Sequence, residues 1–354
     1  MNNPWFDFLA TNGGIIEDYY VDAFADKDQE LAFAAKQTFI CDLSHLDLLA
    51  VTGDDAESFL LGQFSNDLRL LDENGSSQLT TYCNPKGRML ALFCAIKMPD
   101  GYLLQADHGI GINVLPRLKM YVMRSKVAIS DDNEHVQIGI HGAAAATVLL
   151  QHFGISIPEQ PGSGTIIANT IIIRHPTDTP CFEIIATSGD MQSIWNALAK
   201  DCTPVGRHAW DWAQIRAGIP SLAPETVEAF IPQMLNLDVL NAINFKKGCY
   251  PGQEIIARMK YLGKLKQRMY LGHLDLERPP RPGTAIFAAS FGDQSAGTIV
   301  AAEKSPLGGV DLLVVAQISA TTGDTLWIKE PAETEIALLP MPYEIPISGE
   351  TISK

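Results

Sequence analysis

After residue 268 the chain breaks into short apolar runs at regular spacing: 269–276, 284–289, 297–303, 310–318, 325–329 and 335–339. Gly and Pro punctuate them, most densely at Arg278-Pro279-Pro280-Arg281-Pro282-Gly283. Short strands separated only by turn residues restrict a chain to a small antiparallel barrel or sandwich. We therefore place a boundary near residue 265, assign 266–346 to a C-terminal domain of one of these two kinds, and read 347–354 as a loose tail.

Ahead of that boundary the pattern is mixed. Residues 30–42 predict a short helix leading to a strand at 46–52, and 54–61 a helix opened by Asp54 and Asp55 with Ala56, Phe59 and Leu60 at helical spacing. Strands follow at 79–83, 89–97 and 102–105, joined by the turns Asn84-Pro85-Lys86-Gly87 and Pro99-Asp100-Gly101. A helix at 115–122 and strands at 124–129 and 137–141 come next. Beyond the loop 158–164, the β-branched run 165–174 reads as one buried strand, followed by a strand at 182–186 and helices at 191–200 and 209–217. Paired strands alternating with single helices indicate an α+β class rather than a doubly wound sheet. Residues 1–265 are thus expected to form the α+β part of the chain.

Composition narrows the function. A chain of 354 residues exceeds what one core usually serves, and 46% hydrophobic with 19% charged residues is ordinary for a soluble globular protein. No window holds the ~18 uninterrupted apolar residues of a membrane span, and residues 1–10 lack a basic leader and contain Asp7. Six scattered cysteines show no C-x-x-C and no His/Cys metal spacing, which points to a reduced, cytoplasmic compartment and no locally held metal. The eight histidines show no spacing that picks out a metal or a catalytic base. A net charge of −15 argues against stable nucleic-acid binding.

Against that acidity stands one basic island. Between Lys246 and Arg268 seven basic residues face a single acid, Glu254, a local balance of +6 that leaves −21 for the remainder. Clustered like charges raise the free energy of the compact state unless something anionic visits them. Gly248, Pro251 and Glu254 read as a loop feeding a helix, with Pro251 suited to its first position and Ile255, Met259 and Leu262 forming one apolar stripe. Cys249 is then expected just before a helix N-terminus and two residues from Lys247, both of which favour the thiolate.

The string Lys247-Gly248-Cys249-Tyr250-Pro251-Gly252-Gln253-Glu254, followed by Arg258, resembles the signature of the YgfZ-type folate-binding proteins. These are relatives of the glycine-cleavage T-protein implicated in iron-sulfur cluster maturation and tRNA modification. Asn84-Pro85-Lys86-Gly87-Arg88, Ala217-Gly218-Ile219-Pro220 and Phe230-Ile231-Pro232-Gln233 agree in order, so the likeness spans roughly residues 40–320. It implies a T-protein-like multidomain ring around a central folate cavity, with residues 1–265 a composite α+β folate-binding region of two interleaved subdomains and 266–346 a C-terminal antiparallel β-barrel. It also implies tetrahydrofolate or a derivative as cofactor and iron-sulfur client enzymes as partners. Cys249 becomes a redox or transfer thiol with Lys247 lowering its pKa, and Trp210 a platform for the flat pterin. Asn66, Asp67, Gln253 and Arg258 become candidate folate contacts. Plainer assignments stand beside these: a core tryptophan, a polar turn at Asn66-Asp67, and a Glu254/Arg258 helix pair.

Two departures from the family pattern bear on activity. The T-protein acids that follow the turn corresponding to Lys86-Gly87-Arg88 fall near Ala91 and Leu92, and the family Glu before Ala217 is Arg216 here. The resemblance therefore favours a folate-binding accessory protein over classical turnover. The alternative is a folate-dependent aminomethyltransferase or demethylase, and a plain interaction module is the third class.

Overall fold

The computed structural model describes residues 3–154 and 157–346, so the expected tail at 347–354 lies outside the described residues. The chain opens with α1 (Pro4–Thr11), a hairpin of β1 (Ile15–Glu17) and β2 (Tyr20–Ala23), and α2 (Lys27–Ala34). Asn3 caps α1 by accepting from Trp5 N, Pro4 occupies its first turn, and Asp26 caps α2 by accepting from Gln29 N. The elements before α2 escaped sequence reading because they are too short to show a period. They are nonetheless anchored, since Trp5 is fully buried and donates Nε1–H to Asp42 at 2.7 Å.

The interleaving of the two sheets is literal. After β3 (Phe39–Asp42) the chain leaves to build β4 (Leu46–Thr52), α3 (Ala56–Leu61), β5 (Ser77–Cys83), β6 (Met89–Met98), β7 (Gly101–Asp107), α4 (Ile110–Val122) and β8 (Ala128–Asp131). These strands form an antiparallel sheet in the order β5-β6-β7-β4-β8. The chain then returns with β9 (His135–His141), which pairs directly with β3. It continues through α5 (Ala145–Phe153), β10 (Gly164–Ile167), β11 (Thr170–Arg174), β12 (Cys181–Thr187), α6 (Ser188–Leu198) and β13 (Thr203–Val205). The second sheet runs β10-β11-β12-β9-β3-β13, with β13 parallel to β3.

One strand expectation is corrected. Residues 165–174 are not a single strand but a hairpin, β10 against β11, because Ala168 takes a left-handed φ of 52° and turns the chain at Ala168-Asn169. Ala168-Asn169 is the one break in the β-branched run, and Asn169 was the available turn signal, with neither Gly nor Pro beside it.

The sheets meet through Leu48, Ile96 and Leu103 on one side and Ile171, Ile173 and Ile185 on the other. At the edge of that apolar contact lies a buried polar knot. Gln105 on β7 donates to Gln137 on β9 at 2.6 Å and to Glu183 on β12, whose other oxygen is 3.1 Å from His175 Nε2. Glu183 is fully buried, a position a carboxylate tolerates only with such partners.

Two more helices, α7 (Arg207–Arg216) and α8 (Gln253–Tyr261), precede the barrel. Its strands are β14 (Gln267–Leu274), β15 (Ala285–Ala288), β16 (Gly297–Lys304), β17 (Val310–Gln317), β18 (Leu326–Ile328) and β19 (Thr334–Leu339). They close antiparallel in the order β14-β17-β16-β15-β18-β19, so the C-terminal region is a barrel rather than a sandwich. Helix α7 packs on β2, β3 and α2 and also against barrel strands β16 and β17.

The start of α8 interlocks with the turn between β5 and β6. Gly252, with φ of 82°, is so close that a Cβ there would lie 2.6 Å from Asn84 O and 2.7 Å from Gly87 Cα. Both the left-handed backbone and the missing side chain are required. Replacing Gly252 with Ala is expected to lower stability by about 2 kcal/mol, read as a shift of the urea midpoint at unchanged slope.

Candidate functional site

Where the two sheets, α7 and the barrel converge there is a cavity of about 640 Å³. Its walls come from β5 to β7 (Gln78, Leu92, Asp107), from α7 (Arg207, Trp210, Asp211, Gln214) and from the barrel (Pro282, Ala301). Trp210 is buried and lies on the backbone of β9, where a Cβ at Gly139 would meet its ring at 2.2 Å. The missing side chain at Gly139 is what lets the indole seat there. His175 meets the indole edge-on, with ring centroids 5.7 Å apart.

The polar groups of the cavity are only partly paired. Arg207 donates Nε–H to Asp211 at 2.7 Å, and His45 Nε2 is 3.7 Å from the other oxygen of Asp211. Burial pushes His45 down to about 3, so its ring is neutral at physiological pH. Asp107 accepts from Leu222 N at 2.7 Å and is pushed up to about 6, chiefly by burial and further by Asp211 and Asp47. Among the described residues, three buried polar atoms on the cavity residues have no partner: His45 Nδ1, Gln78 Nε2 and Gln214 Nε2. Unpaired buried donors cost of order 1–3 kcal/mol each, a cost that a polar ligand offsets.

The signature motif lies elsewhere. Cys249 is exposed, while α8 begins only at Gln253 with Gly252 as its cap, so Pro251 is a turn residue and not the first helical position. Lys247 is 7% exposed, and its ammonium donates to Phe64 O and, at 2.7 Å, to Leu61 O at the C-terminal end of α3. It also stands 5.0 Å over the Tyr250 ring, and burial pushes it down to about 8. The Lys247 ammonium thus satisfies carbonyls left open at a helix end.

The remaining candidates divide unevenly. Of Trp210, Asn66, Asp67, Gln253 and Arg258, Trp210 alone lines the cavity. Asn66 is buried and donates to Leu79 O at 2.8 Å and to Asn241 O at 2.7 Å, so it shapes a cavity wall through Asn241. Asp67 takes both Nε and Nη2 of Arg69, at 2.8 and 2.7 Å. Gln253 is half-buried at the start of α8, and Arg258 is exposed and pairs with Glu254 at 2.7 Å. Neither departure supplies a cavity acid: Leu92 is apolar wall, and Arg216 turns to the barrel, 3.8 Å from Asp311. Sequence reasoning missed Asp107, Asp211, His45 and Gln78. Asp107 closes a strand read as ending at Gln105, so an acid at a sheet's end was the available signal; the other three offered none.

A family model described as the GCVT N-terminal domain matches residues 8–247. The chain belongs to this family. The resemblance read from the motif holds across most of the sequence. Proteins named tRNA-modifying protein YgfZ from Cronobacter sakazakii and Escherichia coli are each 28% identical to it, covering 84% of this chain and 91% of theirs. The one from Pectobacterium atrosepticum is also 28% identical, over 89% of this chain and 95% of its own. Among solved structures, the glycine cleavage system aminomethyltransferase T from Bartonella henselae superposes with a TM-score of 0.80 at 17% identity, covering 96% of this chain and 97% of its own. That likeness establishes the GCVT-type fold.

In this GCVT-family chain Lys247 and Cys249, two residues apart, are expected to behave oppositely. Lys247→Met leaves two carbonyls unpaired and lowers stability by about 2 kcal/mol. Cys249→Ser leaves the urea midpoint unchanged and abolishes the fast-reacting thiol seen on brief alkylation of the native protein, because the other five cysteines are buried or half-buried.

Proposed function

We propose that the cavity binds a reduced folate, tetrahydrofolate or a derivative, and that the protein is a cytoplasmic accessory factor for iron-sulfur cluster assembly or repair in client enzymes, tRNA-modifying enzymes among them. The observation that carries the folate reading is the set of unpaired buried polar atoms, His45 Nδ1, Gln78 Nε2 and Gln214 Nε2, in a cavity that also presents Trp210. A pterin is flat, edged with donors and acceptors, and suited to an aromatic wall with a few polar groups. A volume of about 640 Å³ is of drug-sized ligand scale. When bound, a reduced folate supplies a carrier for a one-carbon group. The chain's own residues bind and orient it.

The tRNA-modification side of the reading is supported by what the YgfZ relatives are named. Cys249, exposed outside the cavity, is the thiol available to a client surface. Aminomethyl transfer is the less favoured alternative because Leu92 and Ala91 occupy the places where the family resemblance implies acids.

Anaerobic calorimetric titration with tetrahydrofolate tests the proposal, alongside a transferase assay with a glycine-cleavage intermediate. Binding without turnover is expected; turnover favours the alternative, and no binding removes both. Trp210→Phe keeps most of the packing on Gly139 and is expected to weaken binding by about 1 kcal/mol, with loss of the ligand-induced change in tryptophan fluorescence.

A further inference from the structure

The cavity holds carboxyl groups whose commitments differ. Asp211 is spent on Arg207, 2.7 Å away, and Glu225 is exposed on the short turn Pro224–Thr226. Asp107, the last residue of β7, uses one oxygen to accept from Leu222 N at 2.7 Å; among the described residues nothing donates to the other. The β6–β7 ladder runs to Cys94 against Gln105, and Asp107 lies two residues beyond it at the end of β7. Asp107 and the apolar Leu92 both line the cavity.

Resting on the folate reading above, we infer that Asp107 recognises the amidine edge of the bound ring, accepting from the ring N–H and the adjacent amino group. Two parallel donors match the two acceptor oxygens of a carboxylate, which gives both strength and orientation. The carbonyl next to that edge needs a donor, and Gln78 Nε2 or Gln214 Nε2 is an unpaired one on the same cavity. A buried carboxyl with one donor of its own thereby gains the partners that its burial otherwise denies it. The Leu222 N–H holds the carboxyl in place before the ligand arrives.

The assignment sets a pH dependence. Asp107 is pushed up to about 6, and the charged groups acting on it are Asp211 and Arg207 from α7 and Asp47 from β4. His45, pushed down to about 3, is neutral throughout the relevant range. His108, 3.5 Å from Asp47, and Tyr19 stacked on it complete the neighbourhood. The carboxylate is the form that accepts both donors, so affinity is full above about 6 and is lost as pH falls through that value, by up to tenfold per pH unit.

The test is titration of full-length wild type and Asp107→Asn with tetrahydrofolate between about pH 5 and 8. The Asn retains an acceptor for Leu222 N, and thermal melting checks that it folds. Since His108, Asp47 and Asp211 are present in both proteins, the difference isolates one carboxyl. At the upper end of the range the variant is expected to bind about tenfold or more weakly and to lack the wild-type fall at acid pH. A second measurement needs no variant: on wild type, an analogue with methyl in place of the ring amino group is expected to bind about tenfold or more weakly. Failure of wild type to bind tetrahydrofolate removes the folate reading and this assignment with it. Wild-type binding with equal affinity and equal pH slope in Asp107→Asn, or equal affinity for the methyl analogue, overturns the assignment of Asp107 while leaving the folate reading in place.

Discussion

Helix α7 joins the bodies of this molecule, and the cavity exists because that helix has a different commitment on each side. Trp210 is laid on the bare backbone at Gly139, tying it to the six-stranded sheet. Trp212 Nε1 donates to Asp311 of the barrel at 2.9 Å, and the other oxygen of Asp311 is 2.8 Å from His273. His208 lies between Glu303 of the barrel, at 2.8 Å, and Asp22 of the N-terminal hairpin, at 3.3 Å. The Glu303 hydrogen bond raises the His208 pKa, and the imidazole stands between two carboxyl groups from separate units. With these contacts spent on assembly, the face carrying Arg207, Asp211 and Gln214 is left to the cavity. Interfaces between units of one chain are usually free to move unless something specific pins them; here three side chains of one helix do so.

How much of this was legible follows from what leaves a local signature. The barrel strands and the hairpins of the five-stranded sheet were readable because Gly and Pro turns bracket alternating apolar residues, a pattern fixed within a few positions. The hairpin at Ala168-Asn169 was not, because alanine seldom takes the left-handed conformation it has there and only Asn169 marks the turn. The site divides the same way. Trp210 was reachable through the family resemblance. Asp107, Asp211, His45 and Gln78 come from β7, α7, the turn between β3 and β4, and β5, and nothing in the sequence announces that the fold brings them to one cavity. The motif that looked most functional explains itself largely as a seam. Lys247 closes the end of α3, Gly252 fits under Asn84, and Gln233 of a neighbouring motif donates to Ile256 O at 2.7 Å. Short identities at a seam are demanded by close backbone approach as strictly as by chemistry.

The fate of the basic island then bears on the ligand. Lys247 is buried on carbonyls, Arg268 is buried and paired with Asp238, and Arg258 is neutralised by Glu254. Lys246, Lys260, Lys264 and Lys266 remain as an exposed strip, with Lys260 4.1 Å over the Phe245 ring. None of them lines the cavity. Of the two arginines that do, Arg174 is committed to the carbonyls of His175, Thr177 and Cys181, and Arg207 gives Nε–H to Asp211. A cavity whose arginines both have partners, and whose open groups are a carboxyl, two amides and an imidazole nitrogen, favours a neutral ring that donates hydrogen bonds over an anion. On the folate reading proposed above, these groups suit the ring better than the glutamate carboxylates. The carboxylates are then expected toward solvent, where they stay hydrated and Arg207 need not leave Asp211 to receive them.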